Sequence, residues 1–373
     1  MKIGLLGFGS MGKTHLYCVN NLKYFFGNDY NAEIVSVCTK SIETAKKASE
    51  QFNIDGYTNN EDDIIYDSTI DAVDICTPNI YHYETAKKAI LAGKHIYCEK
   101  PLAINYEQAK ELSDLAKKYN VKCHMVFNNR FLSPVLKAKE LISEGKLGRI
   151  LSFNGAYHHS SALDVNKTGW KQDKDICGGG VLFDLGSHIT DLIYYLCGNF
   201  KSVIGKSQIA FPVRTGVNGE KWQTNADEAF YMLAALENGA AGTITVSKIT
   251  TGSNDDLSFE IHGDKGSIRF NLMNPNFLEF YSCERADGKY GGERGYTQIE
   301  CVNRYPQPAG IFPGIKAPIG WLRGHLGNYY SFVDSVANNK EPSISFEDGA
   351  YVQLVLEKAY LSDTLKKEVT IND

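Results

Sequence analysis

Short apolar runs recur through the first 127 residues, at Ile3–Leu6, Ile34–Cys38, Ala72–Cys76, His95–Cys98 and Lys122–Val126. Between them lie stretches with helix-like spacing of apolar and polar positions: about Lys13–Phe25, Ile42–Phe52, Tyr81–Ala92 and Tyr106–Tyr119. Nearly continuous apolar strands that alternate with helices predict a parallel, doubly wound α/β sheet covered on both faces. The connection Asn21–Asn31 is longer than such a unit requires.

After Asn128 the rhythm changes. A helix is expected over about Ser133–Glu144, stopped by Gly145, and a strand over Ile150–Tyr157. Residues 178–198 open on three glycines and read as one helix that ends at Gly198. From about 201 to 302 the pattern turns to β-type segments: Ser202–Ala210, Glu228–Leu236, Gly242–Ile249, Leu257–His262, Ser267–Phe270 and Phe277–Ser282. Turn residues separate them, including Asn238-Gly239 and Gly263-Asp264-Lys265-Gly266, which predicts a large, mostly antiparallel open sheet. A proline-rich loop follows over 303–320, and two helices near Leu322–Asn338 and Asp348–Lys366 close the chain. The expected organisation is a first domain over 1–127 and a second, α+β domain over 128–373, in line with a length of 373 residues.

The chain is 43% hydrophobic and 22% charged with a net charge of -5, the balance of a globular protein rather than a nucleic-acid binder. No run approaches a membrane span, and the N-terminal apolar run enters a glycine turn rather than a cleavage site. Nine scattered cysteines without a CxxC spacing suit a reducing, cytoplasmic setting and no metal site.

Candidate chemistry begins at Gly7-Phe8-Gly9-Ser10-Met11-Gly12, between the first apolar run and the first helix. Strand, glycine turn and helix in that order suit a dinucleotide: Gly7 makes the turn, Gly9 admits the pyrophosphate, and Gly12 lets the helix pack closely. The phosphates then sit at a helix N-terminus. The second strand ends in Thr39-Lys40-Ser41, without the carboxylate that takes an NAD ribose. Lys40 offers a cation there, so NADP is preferred, with NAD the alternative. Thr77-Pro78-Asn79 and Glu99-Lys100-Pro101 end the third and fourth strands, where ligands of open α/β sheets bind. Asp184 and His188, four apart on a predicted helix, share one face. An imidazole near neutrality suits removal and return of a hydroxyl proton. The competing reading is a structural Asp–His pair.

These motifs together, with His82, Asn129-Arg130-Phe131, Gly145-Lys146-Leu147-Gly148 and Gly178 through His188, closely resemble the Gfo/Idh/MocA oxidoreductases along nearly the whole chain. The resemblance implies a Rossmann domain for NAD(P) and a second domain for substrate binding and oligomerisation. It implies an NAD(P)-dependent dehydrogenase or reductase acting on a sugar, inositol or related polyol. Lys100, Asp184 and His188 carry the catalytic roles: His188 as acid/base, Lys100 on the reacting oxygen, Asp184 on a neighbouring hydroxyl. Cofactor contacts fall on the glycine turn, Thr39, Lys40, Ser41, Thr77, Pro78, Asn79, His82, Glu99, Lys100, Asn128, Trp170 and Lys171. Lysine at 171 departs from the arginine often found there. Tyr157, His158 and His159 are substrate candidates, with residues of the 303–325 segment. An NAD-dependent glycosidase and a non-catalytic sugar sensor are the alternatives, and a homodimer or homotetramer is expected.

Overall fold

The computed structural model describes residues 1–27, 31–166, 168–216, 218–302, 304–309, 312–314, 317 and 320–372. The chain forms two compact units, Met1–Phe131 with Tyr305–Tyr351, and Leu132–Arg304 with Val352–Asp373. The first unit is therefore discontinuous in sequence.

In the first unit, strands and helices alternate: β1 (Lys2–Leu6), α1 (Ser10–Phe26), β2 (Glu33–Cys38), α2 (Ile42–Phe52), β3 (Gly56–Thr58), α3 (Asp62–Ile65), β4 (Ala72–Ile75), α4 (His82–Leu91), β5 (His95–Cys98), α5 (Tyr106–Tyr119) and β6 (Cys123–Met125). The six strands pair in parallel in the order β3-β2-β1-β4-β5-β6. The order reverses between β1 and β4, the switch point where such sheets bind ligands. β3 and α3 escape the sequence reading because each is under five residues and lacks a full period.

The apparent insertion after residue 21 is mostly helix. Asn21–Phe26 continues α1, which ends at Gly27 with φ 84°. Residues 28–30 of that stretch lie outside the described residues. Leu22, Phe25 and Phe26 extend the core formed with Leu326, Tyr329 and Phe332. Those three belong to α9 (Trp321–Ala337), and Phe26 stacks on Tyr330 at a centroid distance of 4.0 Å. That aromatic interface is the physical reason the late segment belongs to the first unit.

The second unit contains α6 (Ser133–Ser143), β7 (Ile150–His158), α7 (Lys174–Cys177), a π turn at Leu182–Gly186 that runs into α8 (Ser187–Cys197), and then strands β8 (Phe200–Gln208), β9 (Val213–Thr215), β10 (Lys221–Gln223), β11 (Ala229–Leu236), β12 (Ala241–Ser247), β13 (Asp256–Gly263), β14 (Gly266–Asn271), β15 (Phe277–Ser282), β16 (Thr297–Glu300) and, at the end, β17 (Val369–Thr370). Nine of these form one sheet ordered β16-β15-β14-β13-β7-β12-β11-β8-β17. All neighbours are antiparallel except β12 and β7, which run parallel. The remaining helix, α10 (Phe346–Leu365), crosses the sequence boundary between the units at Tyr351.

One face of this sheet is covered by α8. A Cβ at Gly155 of β7 would lie 2.8 Å from Ile189 Cγ1, so the glycine sets the close approach of helix to strand. The segment 178–198 is not the single regular helix expected. Its glycines form a turn, and the first helical residues wind as a π turn, a feature frequent at functional sites. No described helix is long and apolar enough to cross a membrane.

Candidate active site

The glycine turn separates into three roles. Gly7 has φ +92°, and a Cβ there would lie 2.6 Å from Cys76 O. At Gly12 a Cβ would lie 2.3 Å from Gly7 O. Both glycines are therefore demanded by packing. A Cβ at Gly9 meets nothing within 4 Å, so Gly9 borders open space at the start of α1. That helix has no side-chain cap and no acidic residue in its first turn, which leaves its N–H groups and positive dipole end to an anion. The cradle fits a dinucleotide pyrophosphate. Phe8 packs edge-on against Phe52 at 5.2 Å, and Ser10 O accepts the Thr14 hydroxyl at 3.1 Å, with Met11 between Ser10 and Gly12 in the first turn of α1.

At the end of β2, Thr39 N donates to Thr58 O at 3.2 Å. Ser41 caps α2 by accepting from Thr44 N, and Lys40 is exposed between them. At the ends of β4 and β5, the His82 ring is fully buried, with its two nitrogens 2.8 Å from the carbonyl oxygens of Thr77 and Pro101. Burial lowers its pKa, and the two carbonyl oxygens oppose that shift. It ties the Thr77-Pro78-Asn79 turn to the Glu99-Lys100-Pro101 turn and acts on loop geometry. Asn79 starts a short 3-10 turn, and Lys100 N donates to Glu99 Oε2 at 3.1 Å. Asn128 is buried, and its amide donates to Asn129 Oδ1 at 3.3 Å.

In the second unit, Asp184 lies in the π turn and His188 in the first turn of α8. Asp184 is gripped by two cations: Lys171 Nζ at 2.9 Å and Lys248 Nζ at 2.7 Å. Lys171 follows Trp170 in a short 3-10 turn. Lys248, just past β12, is a residue the sequence reading missed. Nothing local marks it, because its partner is 64 positions away.

The His188 ring meets Tyr157 edge-on at 5.9 Å, and Tyr157 meets His159 in the same manner at 5.2 Å. Asp255 gathers that side of the cluster: its Oδ1 accepts from the Tyr157 hydroxyl at 2.6 Å and lies 3.0 Å from His159 Nε2. Asp255 is a second missed residue. Burial pushes its pKa up, but its hydrogen bonds with His159 and Tyr157, then the His159 and His188 charges, outweigh that and hold it low. Burial and Asp255 together push the Tyr157 hydroxyl upward, so it stays a donor. His158 does not join them. Strand alternation turns it to the opposite sheet face, where Nε2 lies 3.2 Å from Thr245 Oγ1.

A third missed residue, Asp227, fixes the start of the π turn. Its carboxylate accepts from Gly180 N at 3.0 Å, Leu182 N at 3.1 Å and the Tyr360 hydroxyl. Apart from Asp227, the result is the carboxylates of Asp184 and Asp255, the ammonium groups of Lys171 and Lys248, and the imidazoles of His159 and His188 around the Tyr157 side chain. Such a set binds polyhydroxylated molecules and moves a proton near neutral pH.

A family model described as "Oxidoreductase family, NAD-binding Rossmann fold" matches residues 1–127. A second, described as "GFO/IDH/MocA C-terminal domain", matches residues 135–269. The chain is 32% identical over 371 residues to a levoglucosan dehydrogenase of Pseudarthrobacter phenanthrenivorans, covering 95% of this chain and 94% of that one. The chain belongs to the Gfo/Idh/MocA oxidoreductase family. This Gfo/Idh/MocA protein is also 27% identical over 377 residues to a glucose-6-phosphate 3-dehydrogenase of Bacillus subtilis, covering 100% and 99% of the two chains. A solved levoglucosan dehydrogenase in complex with NADH and levoglucosan superposes on it with a TM-score of 0.93, covering 99% of this chain and 98% of that one at 32% identity. As a Gfo/Idh/MocA member it is an NAD-binding oxidoreductase.

Proposed function

We propose that this protein transfers a hydride between a nicotinamide dinucleotide and a hydroxyl-bearing carbon of a sugar or related polyol. The observation that carries this reading is the placement of His188 against Tyr157, close to the doubly gripped Asp184, in a chain whose glycine turn forms a pyrophosphate cradle. The dehydrogenase names of the two relatives favour it over an NAD-dependent glycosidase.

When bound, the dinucleotide supplies the two-electron hydride acceptor. His188 removes the hydroxyl proton as the carbon–hydrogen bond is lost, and returns it in the reverse direction. Lys100 holds the reacting oxygen and stabilises its developing negative charge. Asp184, paired with Lys171 and Lys248, accepts a hydrogen bond from a neighbouring hydroxyl. Tyr157, oriented by Asp255, and His159 bind further hydroxyls.

NADP is the preferred dinucleotide, supported by the exposed Lys40 and the absence of a carboxylate at the end of β2. A second copy of the chain covers the open sheet face, supported by Ile204, Tyr231 and Leu233 exposed side by side there. A cytoplasmic setting is supported by nine free thiols.

The test is a panel of sugars, sugar phosphates and polyols with NAD and NADP, followed at the absorbance of reduced nicotinamide. Cofactor reduction with at least one sugar is expected. Dinucleotide binding without turnover on any member, or release of sugar from a glycoside with no net reduction, overturns the reading.

A further inference from the structure

Beneath the glycine turn, the first unit buries a chain of ionisable groups that the mechanism above leaves unused. His15 of α1 is fully buried. Its Nδ1 lies 2.9 Å from Asp74 Oδ1 on β4, and its Nε2 lies 3.3 Å from Glu99 Oε1 just past β5. The second oxygen of Asp74 accepts the Tyr329 hydroxyl of α9 at 2.8 Å. The second oxygen of Glu99 accepts the backbone N–H of Lys100 at 3.1 Å. Around the ring stand Cys76 Sγ at 3.0 Å from Nδ1, and Tyr97, Tyr329 and His325 at centroid distances of 5.0, 5.8 and 6.4 Å.

Two carboxylates buried this deeply need a cation between them. An imidazolium supplies it: its Nδ1–H donates to Asp74 Oδ1, and its positive charge faces Glu99 Oε1 at 3.3 Å from Nε2. Burial alone pulls the His15 pKa down, but Asp74 and then Glu99 outweigh it and raise it to about 10. Burial pushes Glu99 up, but the hydrogen bond and charge of His15, followed by Lys100 and His325, hold it at about 2. Along Asp74, His15, Glu99 and Lys100 the charges therefore alternate in sign.

We propose that His15 is a positioning residue for Lys100: a standing cation on α1 that keeps Glu99 ionised and fixed, so that Glu99 fixes the Lys100 backbone and provides the negative charge beside it. His15 lies three residues past the third glycine of the phosphate turn. One ring thus ties the helix that receives the dinucleotide phosphates to the loop that carries the lysine. The proposal rests on the reading that Lys100 acts on the substrate oxygen.

The test is the variant His15→Gln, which keeps a polar side chain of similar reach but no positive charge. Asp74 and Glu99 are then buried with no cation between them, and one of them takes up a proton as pH falls. The pH profile of kcat/KM is expected to gain an acidic limb, falling about tenfold more than wild type between about pH 8 and pH 6, with less than about a threefold change in dinucleotide KM. The double variant His15→Gln/Asp74→Asn removes the competing carboxylate and is expected to restore the wild-type profile to within about threefold.

A purely structural role predicts a loss uniform across pH that Asp74→Asn does not repair, and that result overturns the proposal. Lys100→Ala separates the two readings. If it stays active, the role of Lys100 itself fails. If it is inactive while His15→Gln keeps the wild-type profile, only the role of His15 fails. Should His15→Gln not fold, nitrogen NMR of the wild-type ring decides: both nitrogens protonated at about pH 8 is expected, and a neutral ring there overturns the proposal.

Discussion

Lys248 Nζ lies 2.7 Å from Asp184 Oδ2, joining the end of β12 to the π turn of the second unit. Lys171 reaches the same oxygen at 2.9 Å, but its side chain is 49% exposed against 12% for Lys248. Solvent screens the Lys171 contact far more than the Lys248 contact. Lys248→Met is therefore expected to raise the sugar KM about tenfold and Lys171→Met less than about threefold. Steady-state kinetics on both variants check this, and equal effects would show that Asp184 is not held chiefly by Lys248.

Lys100→Ala and His188→Ala are each expected to lower kcat by about two to four decades. Dinucleotide affinity, read from fluorescence of bound reduced nicotinamide, should change little by comparison. Turnover like that of wild type in either variant would remove that residue from the mechanism.

Gly9 separates cofactor binding from folding. A Cβ there meets no atom within 4 Å, so Gly9→Val costs the fold little. The branched side chain fills the space left for the pyrophosphate, and the dinucleotide Kd is expected to rise more than about tenfold with the melting temperature nearly unchanged. Gly7→Ala should do the reverse and lower stability first, because its φ of +92° and the 2.6 Å approach to Cys76 O both resist a side chain.

Stability should peak between two buried histidines of opposite behaviour. His15, raised to about 10, binds its proton more tightly in the fold than in the open chain. Its contribution is complete below about pH 6.5 and is lost as pH climbs toward 10. His124 is held down to about 3 by burial and then by Arg130. The open chain takes up that proton first, so stability falls as pH drops from about 6.5 toward 3. Urea midpoints measured across pH should show both slopes. His15→Gln is expected to flatten the alkaline one and His124→Phe the acidic one.

Lys40→Asp should exchange cofactor preference. The lysine is exposed at the end of β2, and a carboxylate there repels a 2′-phosphate while accepting from a ribose hydroxyl. The ratio of kcat/KM for NADP over NAD is expected to fall at least about tenfold. An unchanged ratio would mean that position 40 does not touch the ribose.

The strand–helix rhythm of the first unit was legible because its buried strands are apolar throughout and its helices carry full turns of periodic sequence. The long strands of the second sheet were legible because one face alternates with the other. What escaped was short or irregular. β3 has three residues, and the π turn at Leu182–Gly186 interrupts the regular spacing assumed for Asp184 and His188. The same alternation that revealed β7 separates neighbours that looked equivalent: Tyr157 faces His188, and His158 turns the other way.

By itself, the sequence determined the parallel sheet and the glycine turn, since backbone freedom at Gly7 and apolar periodicity are local properties. It also placed the candidate groups Lys100, Asp184 and His188 at strand ends and on a helix. Only the tertiary structure decided their company. Lys248 reaches Asp184 and Asp255 reaches Tyr157 across 64 and 98 positions of chain, and His15 of α1 stands between Asp74 of β4 and Glu99 just past β5. Charges must be partnered once buried, but which partners meet is set by packing and topology, and no local pattern of residues encodes that.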